Sequence, residues 1–125
     1  MAEHPNATVY RTALEKFNAG DMSATDLIAD DVVWYQIGAE PLRGKEAMLQ
    51  SMEGLQDLEF DIEIHDITAS DDHVVGLITA TVRTEDESFT YRTAEIAHVK
   101  DGKITERWAF SDDTEAIIRF FEGLG

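Results

Sequence analysis

The sequence predicts an α+β protein in which helices pack against an antiparallel sheet. Apolar residues recur at helical spacing in the first half of the chain and again at its C-terminal end. Between them, residues 58–111 read as long strands joined by short turns. A chain of 125 residues has the usual size of one domain, so we expect a single domain over residues 1–125.

Three helical segments are expected before the sheet. The first covers about residues 6–19, with Asn6 as its cap and a glycine-containing stop at its end. Ser23 opens a short second helix that ends near Ala29. The apolar face of the third helix consists of Met48, Leu49, Met52 and Leu55.

Five strands are expected around and after these helices. Residues 32–37 are β-branched and aromatic, and strict alternation begins at Leu58. The remaining strands are expected over residues 74–84, 89–100 and 103–111. Asp101-Gly102 is a strong signal for a two-residue hairpin turn. A last helix has its apolar side chains at Ile117, Phe120, Phe121 and Leu124.

Composition excludes several classes of function. The chain has no cysteine, which removes disulfides, thiolate nucleophiles and Cys-ligated metals. A formal charge of -16 repels nucleic-acid phosphates and anionic lipid, and no apolar run is long enough to span a membrane. The N-terminal residues do not resemble a signal peptide, so a cytoplasmic location is expected. The four histidines lack metal-ligand spacing and no nucleotide-binding motif is present, so neither a metal nor a cofactor is expected.

The hairpin at Asp101-Gly102 predicts a cluster of side chains on one face of the sheet. In an unbroken ladder from this turn, Glu95 pairs with Trp108, Thr93 with Phe110 and Tyr91 with Asp112. The opposite face, which would include Arg107, is more polar, so the aromatic face is expected to be the inner one. Beside aromatic side chains Glu95 is expected to be neutral.

Two acids are therefore candidates for catalysis, Glu95 and Asp112. Each also has a structural interpretation. Glu95 could be satisfied by a neighbouring polar group, and Asp112 could cap the last helix. The residues expected to line the pocket are Trp34, Gln36, Tyr91, Trp108 and Phe110.

Four segments resemble the SnoaL-like and ketosteroid isomerase-like branch of the nuclear transport factor 2-like superfamily. They are Phe17–Asp21, Ile28–Trp34, Pro41–Met48 and Asp101–Ile104. The resemblance implies a cone-shaped, curved antiparallel sheet with three N-terminal helical segments and a C-terminal helix. It also implies a homodimer that pairs through the outer face of the sheet, where we expect Thr79, Thr81, Arg83, Arg92 and Arg107.

The resemblance also implies a function. Of the catalytic residues of ketosteroid isomerases, only the sheet acid has a counterpart in this sequence, at Glu95, because the positions of the base and the tyrosine hold Gln36 and Ala13. Of the catalytic residues of limonene epoxide hydrolases, only one has a counterpart, at Asp112. SnoaL-like cyclases need a single acid, which Asp112 or Glu95 could supply. We therefore expect a small hydrophobic ligand and an isomerase, cyclase or hydrolase without a cofactor, with a non-catalytic binding or scaffold protein as the alternative.

Overall fold

A computed structural model describes residues 3–53 and 58–123. It contains helices α1 (Pro5–Asn18), α2 (Lys45–Glu53) and α3 (Thr114–Glu122), with a 3₁₀ segment at Met22–Leu27. The strands are β1 (Ile28–Trp34), β2 (Leu42–Arg43), β3 (Glu59–Ala69), β4 (Val74–Arg83), β5 (Ser88–Lys100) and β6 (Lys103–Ser111). The predicted α+β class is confirmed. Leu55 and Leu124, assigned above to helix faces, lie outside the described residues.

Helix boundaries differ slightly from those predicted because other side chains act as caps. The ring of His4, rather than Asn6, accepts a hydrogen bond from the backbone at the start of α1, and Pro5 occupies the first helical position. Asp21, rather than Ser23, caps the 3₁₀ segment. None of the helices in the described ranges is both long and apolar enough to span a membrane.

The six strands form one curved, mixed sheet in the order β2-β1-β6-β5-β4-β3. The four strands from β3 to β6 make the expected antiparallel meander, whereas β1 runs parallel to β6. A shift of register between Ile64 and Asp66 interrupts the β3–β4 ladder, as a bulge does. An antiparallel sheet was expected from the sequence, whereas the observed sheet is mixed because β1 runs parallel to β6.

The β5–β6 hairpin begins as predicted and then departs from the predicted register. Asp101 and Gly102 both have positive φ angles, and Lys100 pairs with Lys103. A bulge follows: Val99 pairs with Ile104 but His98 pairs with Glu106, so one residue of β6 is left over. Because side chains alternate between faces, this extra residue exchanges the two faces of β6 from Glu106 onward.

The core lies between the inner face of the sheet and α1. Its largest fully buried side chains are Tyr10, Ile28, Val32, Val74, Val82 and Ile104. Ile78 and Ala80 also face inward, as the alternation along β4 predicts. Met48 of α2 and Ile117 of α3 are buried as well, which places a helix on either side of the part of the inner face that α1 does not cover.

Candidate active site

A cavity of about 670 Å³ lies on the inner face of the sheet. Its wall is mostly apolar. The apolar lining includes Leu14, Phe17, Met48, Met52, Phe60, Ile62, Ile117, Ile118 and Phe121. A volume of this size suits a ligand of two to four fused or linked rings, within the ordinary range of small-molecule sites.

A buried ion pair lies on the cavity wall. Oε2 of Glu95, on β5, is 3.2 Å from Nη2 of Arg107, on β6. The two side chains are only 8% and 12% exposed. The β6 bulge creates this contact, since it pairs Arg107 with Ala97 and so turns the guanidinium toward the inner face.

Two more side chains donate hydrogen bonds to Glu95. The hydroxyl of Tyr10 donates to Oε1, and that of Thr93 donates to Oε2 at 3.0 Å. Tyr10 comes from α1 and is completely buried, whereas Thr93 comes from the same strand as Glu95. A buried carboxylate is costly unless it is paired, and Glu95 has two hydrogen-bond donors and one full positive charge beside it.

Arg107 is held from several sides. Its Nη1 donates to the carbonyl oxygen of Tyr35 at 3.1 Å, and its guanidinium lies 4.7 Å from the centre of the Trp34 ring. Its Nε is buried without a partner among the described residues. Burial alone lowers the pKa of Arg107, but Glu95 and Tyr10 outweigh burial and raise the pKa, so the group stays charged.

The two tyrosines nearest this pair stay protonated. Burial raises the pKa of Tyr10 well above its ordinary value, and the charge of Glu95 raises it further. Burial and Glu95 also raise the pKa of Tyr91, which lies on the cavity wall. Both hydroxyls are therefore hydrogen-bond donors throughout the neutral range.

The structure places four of the seven predicted site residues on the cavity wall: Trp34, Gln36, Tyr91 and Glu95. The amide of Gln36 donates to the carbonyl oxygen of Glu40 at 2.7 Å, which fixes it at the edge of the site. The expectation of a neutral Glu95 rested on Trp108 and Phe110 as its neighbours, and that placement is wrong because its neighbour is the guanidinium of Arg107.

The other three predicted residues lie elsewhere. Trp108 and Phe110 point from the outer face of the sheet, where Phe110 is 62% exposed, because the bulge exchanged the faces of β6. Asp112 is exposed and does not line the cavity; its Oδ1 accepts a hydrogen bond from the backbone of Arg92 at 3.2 Å. The cap of α3 is Asp113.

Sequence reasoning missed two residues, Arg107 and Tyr10. Arg107 was assigned to the outer face, since nothing in the sequence marks the bulge. One usable signal was the inward Glu95 itself, because a buried carboxylate requires a cation and few basic residues are available. The helical spacing of Tyr10 with Ala13, Leu14 and Phe17 predicts the core face of α1, but the partner of the Tyr10 hydroxyl depends on how α1 crosses the sheet.

No group of three or more histidine, aspartate and glutamate side chains in the described part of the chain could hold a metal ion.

A comparison with protein-family models matches the SnoaL-like domain over residues 10–107. The chain belongs to the SnoaL-like domain family. The predicted nuclear transport factor 2-like superfamily is thereby confirmed.

Solved structures show how widely this SnoaL-like fold is shared. An LEH-like epoxide hydrolase of M. tuberculosis is 20% identical, with a TM-score of 0.81, 96% of this chain and 92% of that chain being covered. IdmH of Streptomyces antibioticus, a proposed polyketide cyclase, is 22% identical, with a TM-score of 0.77 and coverage of 94% and 99%. TerC, co-crystallised with polyporic acid, is 19% identical, with a TM-score of 0.81 and coverage of 95% and 99%. No curated protein matches the SnoaL-like chain.

Proposed function

We propose that this SnoaL-like protein binds a small hydrophobic molecule bearing a carbonyl group and transfers protons on it with Glu95. The observation that carries the proposal is the Glu95–Arg107 pair on the wall of an otherwise apolar cavity of about 670 Å³. A base in an apolar site works best when a fixed charge can stabilise the anion that proton removal creates. Asp112 has no part in this proposal because it lies outside the cavity.

The reaction class that fits this pair is enolisation. The Glu95 carboxylate takes a proton from the carbon next to the carbonyl, and the C–H electron pair becomes the double bond of an enolate. The negative charge moves to the ligand oxygen, where the positive Arg107 stabilises it. Return of the proton to another carbon completes an isomerisation. In a cyclisation, the enolate carbon attacks a second carbonyl of the same molecule, and the alkoxide formed takes the proton from Glu95.

Relatives in fold support this range of chemistry without choosing within it. The three structures above include an epoxide hydrolase, a proposed polyketide cyclase and a protein crystallised with polyporic acid. A shared fold hosts many functions, so the proposal rests on the site and not on these relatives.

A non-catalytic binding protein is the second candidate, and one observation favours it. Both carboxylate oxygens of Glu95 already have donors, and its charge is already balanced by Arg107. A pair of this kind can serve folding specificity alone. In that case the cavity binds a ligand and leaves it unchanged.

An exchange assay separates the two candidates. We expect the protein to accelerate deuterium incorporation next to the carbonyl of 2-tetralone in D₂O, followed by proton NMR. Glu95→Gln is expected to reduce the catalysed rate at least a hundredfold, since a general base contributes about 10²–10⁴-fold. Glu115→Gln, whose side chain is 87% exposed on α3, is the matched control and is expected to keep the full rate.

Ligand binding is measured separately through Trp34. The chain has two tryptophans, so Trp108→Phe leaves Trp34 as the sole reporter beside Arg107. Binding of 2-tetralone with no accelerated exchange would favour the non-catalytic candidate. If 2-tetralone neither binds nor undergoes accelerated exchange, both candidates are contradicted for this class of ligand.

A further inference from the structure

We propose that Tyr10 is a positioning residue that directs Glu95 to accept a proton on Oε1. The proposal rests on the function proposed above, and it concerns which atom of the base reacts. Tyr10 does not line the cavity, so it acts through Glu95 rather than on a ligand.

The argument begins with how many donors each oxygen of Glu95 already has. A carboxylate oxygen offers about two lone-pair directions. Oε2 accepts a hydrogen bond from the hydroxyl of Thr93 at 3.0 Å and also lies 3.2 Å from Nη2 of Arg107, so two groups already contact it. Among the described residues, Oε1 receives only the hydroxyl of Tyr10. Oε1 is therefore the oxygen with fewer partners, and one of its lone-pair directions remains for a proton from a ligand.

Tyr10 can hold Oε1 in place because its ring is packed in the core. The residue is completely buried on the inner side of α1. Its ring lies over Gly76, the residue that pairs with Glu95 in the neighbouring strand. A Cβ at position 76 would lie 3.6 Å from Cε2 of Tyr10, so this position has room for alanine but none for a branched side chain above it.

The protonation state of Tyr10 suits this role. Burial and the adjacent Glu95 raise the pKa of Tyr10, which keeps its hydroxyl a donor while Glu95 is a carboxylate. Tyr10 thus keeps a hydrogen-bond donor on Oε1 throughout the neutral range.

Two predictions distinguish this role from simple packing. Tyr10→Phe keeps the ring and removes the donor, so in the 2-tetralone assay we expect kcat to fall by about ten- to a hundredfold with KM unchanged. A loss that appears only in KM would overturn the proposal.

Carboxyl NMR provides a readout that does not depend on catalysis. In protein labelled with ¹³C at the glutamate carboxyls, the Glu95 signal is the one missing from Glu95→Gln. Tyr10→Phe is expected to shift this signal at neutral pH because Oε1 loses its hydrogen-bond donor, whereas Thr81→Val, on the outer face of β4, leaves it in place. If the signal does not move, the role of Tyr10 is refuted even if exchange is observed. If the signal moves but no exchange is observed, only the proposed reaction is refuted.

Variants at Gly76 test the position of the ring without removing its hydroxyl. Gly76→Ala is expected to behave like wild type in both measurements, since a Cβ has room there. Gly76→Val, which displaces the Tyr10 ring, is expected to reproduce the kcat and NMR effects of Tyr10→Phe. Wild-type values in a folded Gly76→Val protein would contradict the proposed geometry.

Discussion

Glu95 and Arg107 form a buried ion pair across neighbouring strands, with Oε2 3.2 Å from Nη2. Neither partner can be removed without leaving the other charge, or its donors, unsatisfied. Removal of one partner alone is therefore expected to destabilise the fold.

Glu95→Gln is expected to lower the free energy of unfolding at neutral pH by about 3–5 kcal/mol, because Arg107 is then a buried charge without its partner. The double variant Glu95→Gln/Arg107→Met removes both charges and is expected to recover much of this loss. Urea denaturation of the single and double variants measures both values. A Glu95→Gln protein as stable as wild type would mean that the pair does not stabilise the fold.

Alkaline unfolding is expected to depend on Tyr10. Its pKa is raised in the folded protein, so the native state binds this proton more tightly than the unfolded chain does. Stability therefore falls as pH rises above about 10, the value for an unfolded tyrosine, by up to about 1.4 kcal/mol per pH unit. Tyr10→Phe should show a shallower decline of its melting temperature above pH 10, although it starts from a lower stability. Parallel curves for the two proteins would contradict this linkage.

Gly38 lies against Ile118 of α3 at the wall of the cavity. Its φ is +76°, and a Cβ there would overlap Cγ1 of Ile118. Gly20 has a similar φ of +73° but open space around it. Gly38→Ala is therefore expected to cost about 1–3 kcal/mol more than Gly20→Ala, the difference being the overlap with α3. Thermal melts of the two variants measure this difference, and equal losses would show that Ile118 moves aside freely.

The homodimer expected from the family resemblance remains a prediction, with a different set of contacts. Leu77 and Phe110, 42% and 62% exposed, lie on the outer face on either side of Ala94. Phe110→Asp is expected to convert a dimer into a monomer by placing a charge in this apolar surface. Met22→Asp adds the same charge at another exposed apolar residue and serves as the control. Sedimentation of all three proteins at micromolar concentration provides the test, and a monomeric wild type would refute the dimer.

Local patterns in the sequence determined most of the fold. The period of two along β4, the Asp101-Gly102 turn and the helical spacing around Tyr10 each predict their element correctly, because side-chain periodicity and turn conformation are local properties. The predicted hairpin also placed Glu95 on the inner face, although that choice rested on Trp108 and Phe110, which lie on the outer face.

The composition of the site was decided by tertiary structure. One extra residue near Thr105 reverses the faces of β6, so the side chain of Arg107 lines the cavity while those of Trp108 and Phe110 lie on the outer face. A bulge has no distinct sequence signature, and it is stable here because the inward Arg107 meets a carboxylate from another strand and the ring of Trp34. Sequence alone therefore determined which strands form, whereas contacts between strands distant in sequence decided which of their side chains share the cavity.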